Sequence, residues 1–248
     1  MTNVTFWKSF KAAYVDSLAF IRACWLLALV PVVFELLQHF VEVRIGAYDS
    51  MAAALALADA PLRLHFGLLK VASLTLSIYW VMRFLPRRDA RFAARVEAPA
   101  WRLFAVFLVV QVALGAIDLY VLPRQGWWAV VWFVVGMVEG ALFAAWAAGA
   151  SLGNERMGVM ASTRLMARRL PWTLAFQITV ILLPMVLHYV LGTLAIALPR
   201  ALMWPTLVLD ALVVGYLAPV IVAGSYFPAL RAAQLAGVTL FDGDGTTA

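Results

Sequence analysis

Six long apolar runs divide the chain, at about Ala23–Val41, Leu64–Leu85, Leu103–Leu122, Trp127–Gly149, Trp172–Leu198 and Pro205–Phe227. Each is close to or beyond the roughly 20 residues a helix needs to cross the hydrocarbon core of a bilayer. The pattern predicts an all-α fold, a polytopic integral membrane bundle of six transmembrane helices. The fourth run, WWAVVWFVVGMVEGALFAAWAAG, reads as the central helix of that bundle. Its Gly136, Gly140, Ala144 and Ala148 recur every fourth position, a small-residue stripe that lets a neighbouring helix approach closely. Glu139 lies near its middle, where an ionised acid costs roughly 2.5 to 3.5 kcal/mol unless it is paired, hydrated or protonated.

Shorter patterned segments separate the runs. From Val4 to Ile21, Trp7, Phe10, Tyr14, Leu18 and Ile21 share one helical face while Lys8 and Asp16 share another, which predicts a helix lying in the membrane interface. Glu42 to Arg63 is too polar to cross; its alanine-rich piece from Ser50 to Ala60 predicts a short helix outside the membrane, stopped by Pro61. Two basic connectors, one with Arg87, Arg88, Arg91 and Arg95 and one with Arg156, Arg164, Arg168 and Arg169, read as further interfacial helices. Pro123 to Gly126 reads as a tight turn. The chain divides into one six-span domain, 1–231, and a short tail, 232–248, whose end FDGDGTTA reads as disordered. An Arg and a Trp mark the start of each pair of spans, at RACW, AWRL and RRLPW, and Trp25, Trp101 and Trp172 are almost evenly spaced. A degenerate threefold hairpin repeat, with its axis along the membrane normal, produces this pattern. So do the basic loops and interfacial aromatics of any six-span chain.

Composition excludes a water-soluble protein: 65% of the 248 residues are apolar and 13% charged, against about half and a quarter in globular domains. The net charge of +6 matters less than its placement. Only Arg44, Arg63, Arg124 and Arg200 fall in the loops opposite the termini, and Lys70 falls inside a span; the other basic residues lie on the side of the termini. The positive-inside bias then predicts that both termini are cytoplasmic. A strong preference for Arg over Lys, with abundant Ala, suggests a bacterial chain, and so an inner-membrane address. The first apolar run continues through Glu35 and Gln38 with no small-x-small cleavage site, which predicts an uncleaved anchor. Cys24 is the single cysteine, so no intrachain disulfide and no thiolate metal site are expected, and it reads as a small buried hydrophobe.

Candidate chemistry resides in the ionisable residues of the spans. Glu35, Lys70, Asp118, His188 and Asp210 fall in the half of the membrane away from the termini, with Glu139 nearer the midplane. Such residues are functional candidates because each is costly in lipid. Lys70 is the one cation among them, with Glu139 or Asp118 as its expected partner, and the excess of acids suits binding of a cation or proton. Against this stand plainer readings: Glu35, Asp118 and Asp210 solvated at the outer interface, Lys70 snorkelling to headgroups, and His188 as a packing residue. Arg88, Arg91, Arg95, Arg164, Arg168 and Arg169 are candidates for holding anionic lipid headgroups, at about 1 kcal/mol each, an explanation that displaces nucleic-acid binding. The sequence holds no HExxH, GxSxG or Walker A motif, and His39, His65 and His188 lie on different segments without metal-ligand spacing. No catalytic residue, metal or cofactor is expected.

The stretch GVMASTRLMARRLPWTLAFQITVILLPMVL, with Ser162, Thr163 and Arg164 ahead of a long span, resembles the corresponding segment of YciC-type bacterial inner-membrane proteins. It is also similar to the integral membrane domain of some glycerophosphoryl diester phosphodiesterases. The resemblance implies six spans, amphipathic connectors and an inner-membrane address. It carries over no catalytic residue, since no soluble phosphodiesterase domain accompanies the spans. The leading functional expectation is a non-enzymatic, lipid-interacting membrane component or partner subunit, with a protein partner or a second copy packed on its small-residue stripe. The competing one is a small transporter or channel whose outward-facing cavity uses Glu139 and Lys70. An intramembrane enzyme acting on lipids comes third.

Overall fold

The computed structural model describes residues 5–123 and 126–241. Regular structure among them is entirely helical. The elements are α1 (Phe6–Ala23), α2 (Trp25–Arg44), α3 (Met51–Ala56), α4 (Pro61–Arg87) and α5 (Ala90–Ala94). They continue with α6 (Ala98–Tyr120), α7 (Trp127–Leu152), α8 (Val159–Ala167), α9 (Leu170–Ala197) and α10 (Arg200–Ala236). Six of them, α2, α4, α6, α7, α9 and α10, are long and apolar enough to cross a membrane. The chain is a multi-pass helical membrane bundle. A shorter helix precedes each pair of long ones, α1 before α2 and α4, α5 before α6 and α7, and α8 before α9 and α10, with α3 interrupting the first pair.

The amphipathic α1 is docked onto the bundle as much as it lies along it. Phe6 packs edge-on to Trp172 and Phe176, and the Tyr14 hydroxyl donates to the Val180 carbonyl at 2.7 Å. Trp7 and Leu18, placed with Phe10 and Tyr14 by the sequence pattern, stay exposed. The short α3 starts at Ser50, whose Oγ accepts from the Ala53 N–H at 3.0 Å. Pro61 does not stop a helix; it occupies the first turn of α4, where its missing N–H costs nothing.

The centre of the bundle is α10, not α7. Two-thirds of the apolar window of α10 is buried, and it packs against α9, α2, α1, α4 and α7. Small residues make that possible: Ala211, Gly215, Ala218, Ala223, Ala229 and Ala232 are all buried. A Cβ on Gly215 would collide with Val32 of α2. Only the second half of α7 does what its small-residue stripe predicts. Ala144 and Ala148 are buried, whereas Gly136 and Gly140 have no neighbour within 4 Å of where a Cβ would stand. The Val130, Phe133 and Val134 side chains beside them are exposed. Large apolar groups on all sides suit that half to lipid, and helix packing needs more than a small residue every fourth position.

Ser162 ties α8 to α7 by bridging two of its backbone groups: it donates to the Leu142 carbonyl at 2.7 Å and accepts from the Trp146 N–H at 2.9 Å. The central helix runs past the expected end of its span to Ala236, and Leu240 beyond it is buried. Asn154 donates to the Thr239 carbonyl at 3.1 Å, which fastens this segment to the turn after α7. The predicted turn residues Arg124 and Gln125, and the end of the tail from 242 to 248, lie outside the described residues.

Candidate functional site

On α2, Glu35, Gln38, His39 and Glu42 stand at i, i+3, i+4 and i+7, one polar stripe on an otherwise apolar helix. The stripe turns inward, because α2 packs against both α4 and α10. Glu35, His39 and Glu42 are buried, as is Asp210 on α10. Lys70 of α4 places its Nζ 2.6 Å from Glu35 Oε2. One turn-pair earlier on the same helix, Arg63 Nε donates to Glu42 Oε1 at 2.7 Å. The loop after α2 adds Tyr48, and α9 adds His188.

His39 sits at the middle of this network. Its Nε2 is 3.0 Å from Asp210 Oδ2 and 3.5 Å from Glu35 Oε1. Its Nδ1 is 2.9 Å from the Tyr48 hydroxyl and 3.4 Å from Glu42 Oε2. The Tyr48 hydroxyl itself donates to Glu42 Oε2 at 3.2 Å. Burial, with the Glu42 carboxylate beside it, pushes the Tyr48 phenol well above its usual range, so it stays a donor. With the Tyr48 proton spent on Glu42, its oxygen accepts from His39, and we assign a proton to Nδ1 on that basis. The His39 Nε2 then faces two carboxylates. The second oxygen of Asp210 is taken by His188 Nδ1 at 2.8 Å.

These groups line a cavity of about 430 Å³ at the end of the bundle opposite the described chain ends. Its wall includes Glu35, His39, Glu42, Lys70, His188 and Asp210, with Tyr48 and Arg63 at the side of the loop. The structure thus brings together four of the residues singled out in the sequence, Glu35, Lys70, His188 and Asp210. Two expectations fail here. Glu35 and Asp210 are not solvated at the interface but buried at helix contacts, and Lys70 pairs with Glu35, not with Glu139 or Asp118. The reason is packing order: α4 lies against α2 at the level of Glu35, while Asp118 is exposed on α6. Glu139 does not line the cavity; it accepts from Gln111 Nε2 at 2.7 Å and joins α7 to α6.

His39, Gln38, Glu42, Tyr48 and Arg63 are the participants that sequence reasoning left out. The stripe on α2 was the available signal, obscured by placing Glu42 outside the first span. His39 and His188, unrelated by spacing, meet on one carboxylate through the tertiary fold, whereas His65 lies against Tyr120.

The end of the bundle nearer the termini holds a second polar group. Arg83 is fully buried, with Nε donating to the Phe92 carbonyl at 3.0 Å, Nη1 to the Ser151 carbonyl at 3.2 Å, and Nη2 3.1 Å from Glu97. Of the arginines expected to hold headgroups, Arg88 pairs with Asp16 at 2.7 Å and Arg95 with Glu97 at 3.6 Å. Arg91, Arg164, Arg168 and Arg169 are exposed. Burial raises the Asp16 carboxyl above its usual range and Arg88 pulls it back. Burial also pushes the Cys24 thiol up to about 11, so it behaves as the small hydrophobe its sequence setting implied.

No protein-family model, no curated protein and no solved structure matches this chain.

Proposed function

We propose that the protein binds a cation within the membrane and belongs to the transporter class, drawing its ligand into the cavity from the face opposite the termini. The observation that carries this reading is the pair of carboxylates, Asp210 and Glu35, turned toward the single nitrogen His39 Nε2. Two buried anions at one point need a positive charge there, and Lys70 meets Glu35 only through its other oxygen. The lining is rich in acids, with Glu35, Glu42 and Asp210 beside Arg63 and Lys70. A cavity of about 430 Å³ is of ligand-binding size, and ionisable residues at membrane depth mark ion pathways.

Glu139 takes no part in this reading. The exposed Arg91, Arg164, Arg168 and Arg169 favour a second role at the other end, contact with anionic headgroups, which steadies the bundle in its membrane.

Uptake of a panel of monovalent and divalent cations into proteoliposomes tests the proposal. Saturable uptake is expected for the wild type, at least tenfold lower for Asp210→Asn and retained by Glu139→Gln. Absence of saturable uptake or binding of any cation by the folded wild type overturns it, as does an Asp210→Asn variant that behaves like the wild type.

A further inference from the structure

The donor atoms at the floor of the cavity narrow the choice of cation. Glu35, His39 and Asp210 each offer one ligand atom, and the three lie within 4.8 Å of one another, on buried side chains. The two separations from His39 Nε2, 3.0 Å and 3.5 Å, bracket the spacing of about 3.4 Å between ligands held tetrahedrally about 2.1 Å from a zinc ion. Each of the three also has its other atom fixed from outside. Lys70 holds Glu35 Oε2, the Tyr48 hydroxyl with Glu42 holds His39 Nδ1, and His188 holds Asp210 Oδ1. Outer contacts of this kind, above all a carboxylate or phenol on the far nitrogen of a histidine, set the tautomer and direction of metal ligands. A plain ion pair needs only one carboxylate per histidine and no such bracing.

Building on the cation-binding reading, we propose that Glu35, His39 and Asp210 form a site for a divalent transition metal of the zinc and cobalt class. All three side chains line the cavity, from which the ion would enter. One imidazole and two carboxylates suit borderline metals and distinguish the site from the all-oxygen cages of calcium and magnesium. The lone thiol, Cys24, joins α1 to α2 near the other end of the bundle and takes no part. Lys70 plays a double role: its ammonium orients Glu35, yet as a cation beside the site it opposes a second positive charge.

The test uses the untagged full chain in detergent, stripped with a chelator and equilibrated with Zn²⁺ or Co²⁺. Elemental analysis is expected to give one metal per chain. The cobalt form is expected to show visible d–d bands and no near-ultraviolet thiolate charge transfer. His39→Ala removes stoichiometric binding. Tyr48→Phe, which loses only the outer phenol, weakens it about 10- to 100-fold. Each variant is compared only after it matches the wild type in helical circular dichroism and elution volume. The inference falls if the wild type binds neither ion at one per chain, if a thiolate band appears, or if both His39→Ala and Tyr48→Phe bind like the wild type. Saturable uptake of monovalent cations alone would remove the metal site and leave the cation reading standing; failure of both assays would remove both.

Discussion

Arg83 illustrates what a single residue contributes at the other end of the bundle. It is the largest fully buried side chain among the described residues, stacked over the Phe92 ring at 4.1 Å and bonded to carbonyls on two different segments. Arg83→Ala strands those carbonyls and the Glu97 carboxylate, so a loss of about 1–3 kcal/mol is expected. This is less than the ~3–5 kcal/mol of a fully buried pair, because Glu97 keeps a third of its surface exposed. Unfolding in mixed micelles measures it, and a variant as stable as the wild type would mean that water satisfies these groups. In sequence, Arg83 looks like any other arginine at the end of a span. Whether such a residue points to headgroups or into protein depends on the α5 and α7 segments folded over it, which local pattern does not report.

Among the elements, α10 and α7 carry similar small-residue spacing yet have different neighbours. Gly215 stands where α10 meets Val32 of α2, and Gly140 stands in open space. Gly215→Ala is therefore expected to cost about 1–3 kcal/mol through overpacking. Gly140→Ala is expected to be neutral or to gain up to about 1 kcal/mol from helix propensity. Thermal denaturation of the two variants side by side measures the contrast, and equal effects would mean that α2 and α10 are not in close approach there. The existence of both helices was legible from the length and apolarity of their runs. Their ranking was not, because a stripe of small residues states that close packing is available without stating which stripe finds a partner.

For the molecule as a whole, the two polar clusters lie at opposite ends of the bundle, the cavity at one and Arg83 with the exposed basic residues at the other. The distribution of arginines predicts that the second end is cytoplasmic. Two exposed positions make this measurable: Leu55 on α3, beside the cavity, and Leu235 near the end of α10. With native Cys24 buried, an impermeant maleimide on intact cells is expected to label Leu55→Cys at once and Leu235→Cys only after permeabilisation. The reverse order would invert the topology and turn the cavity toward the cytoplasm.

Six long apolar helices, five of them to within about five residues at either end, and the short helices between them were legible in the sequence itself, whereas α10 runs on to Ala236, past the expected end at Phe227. These properties depend on the free energy of placing each side chain in water, interface or hydrocarbon, which is local and additive along the chain. Only the tertiary structure decided that Lys70 meets Glu35, that His39 and His188 share Asp210, and that Glu139 is a packing residue. Partners on helices far apart in the chain are chosen by which faces fit at close range, and composition and depth leave that choice open.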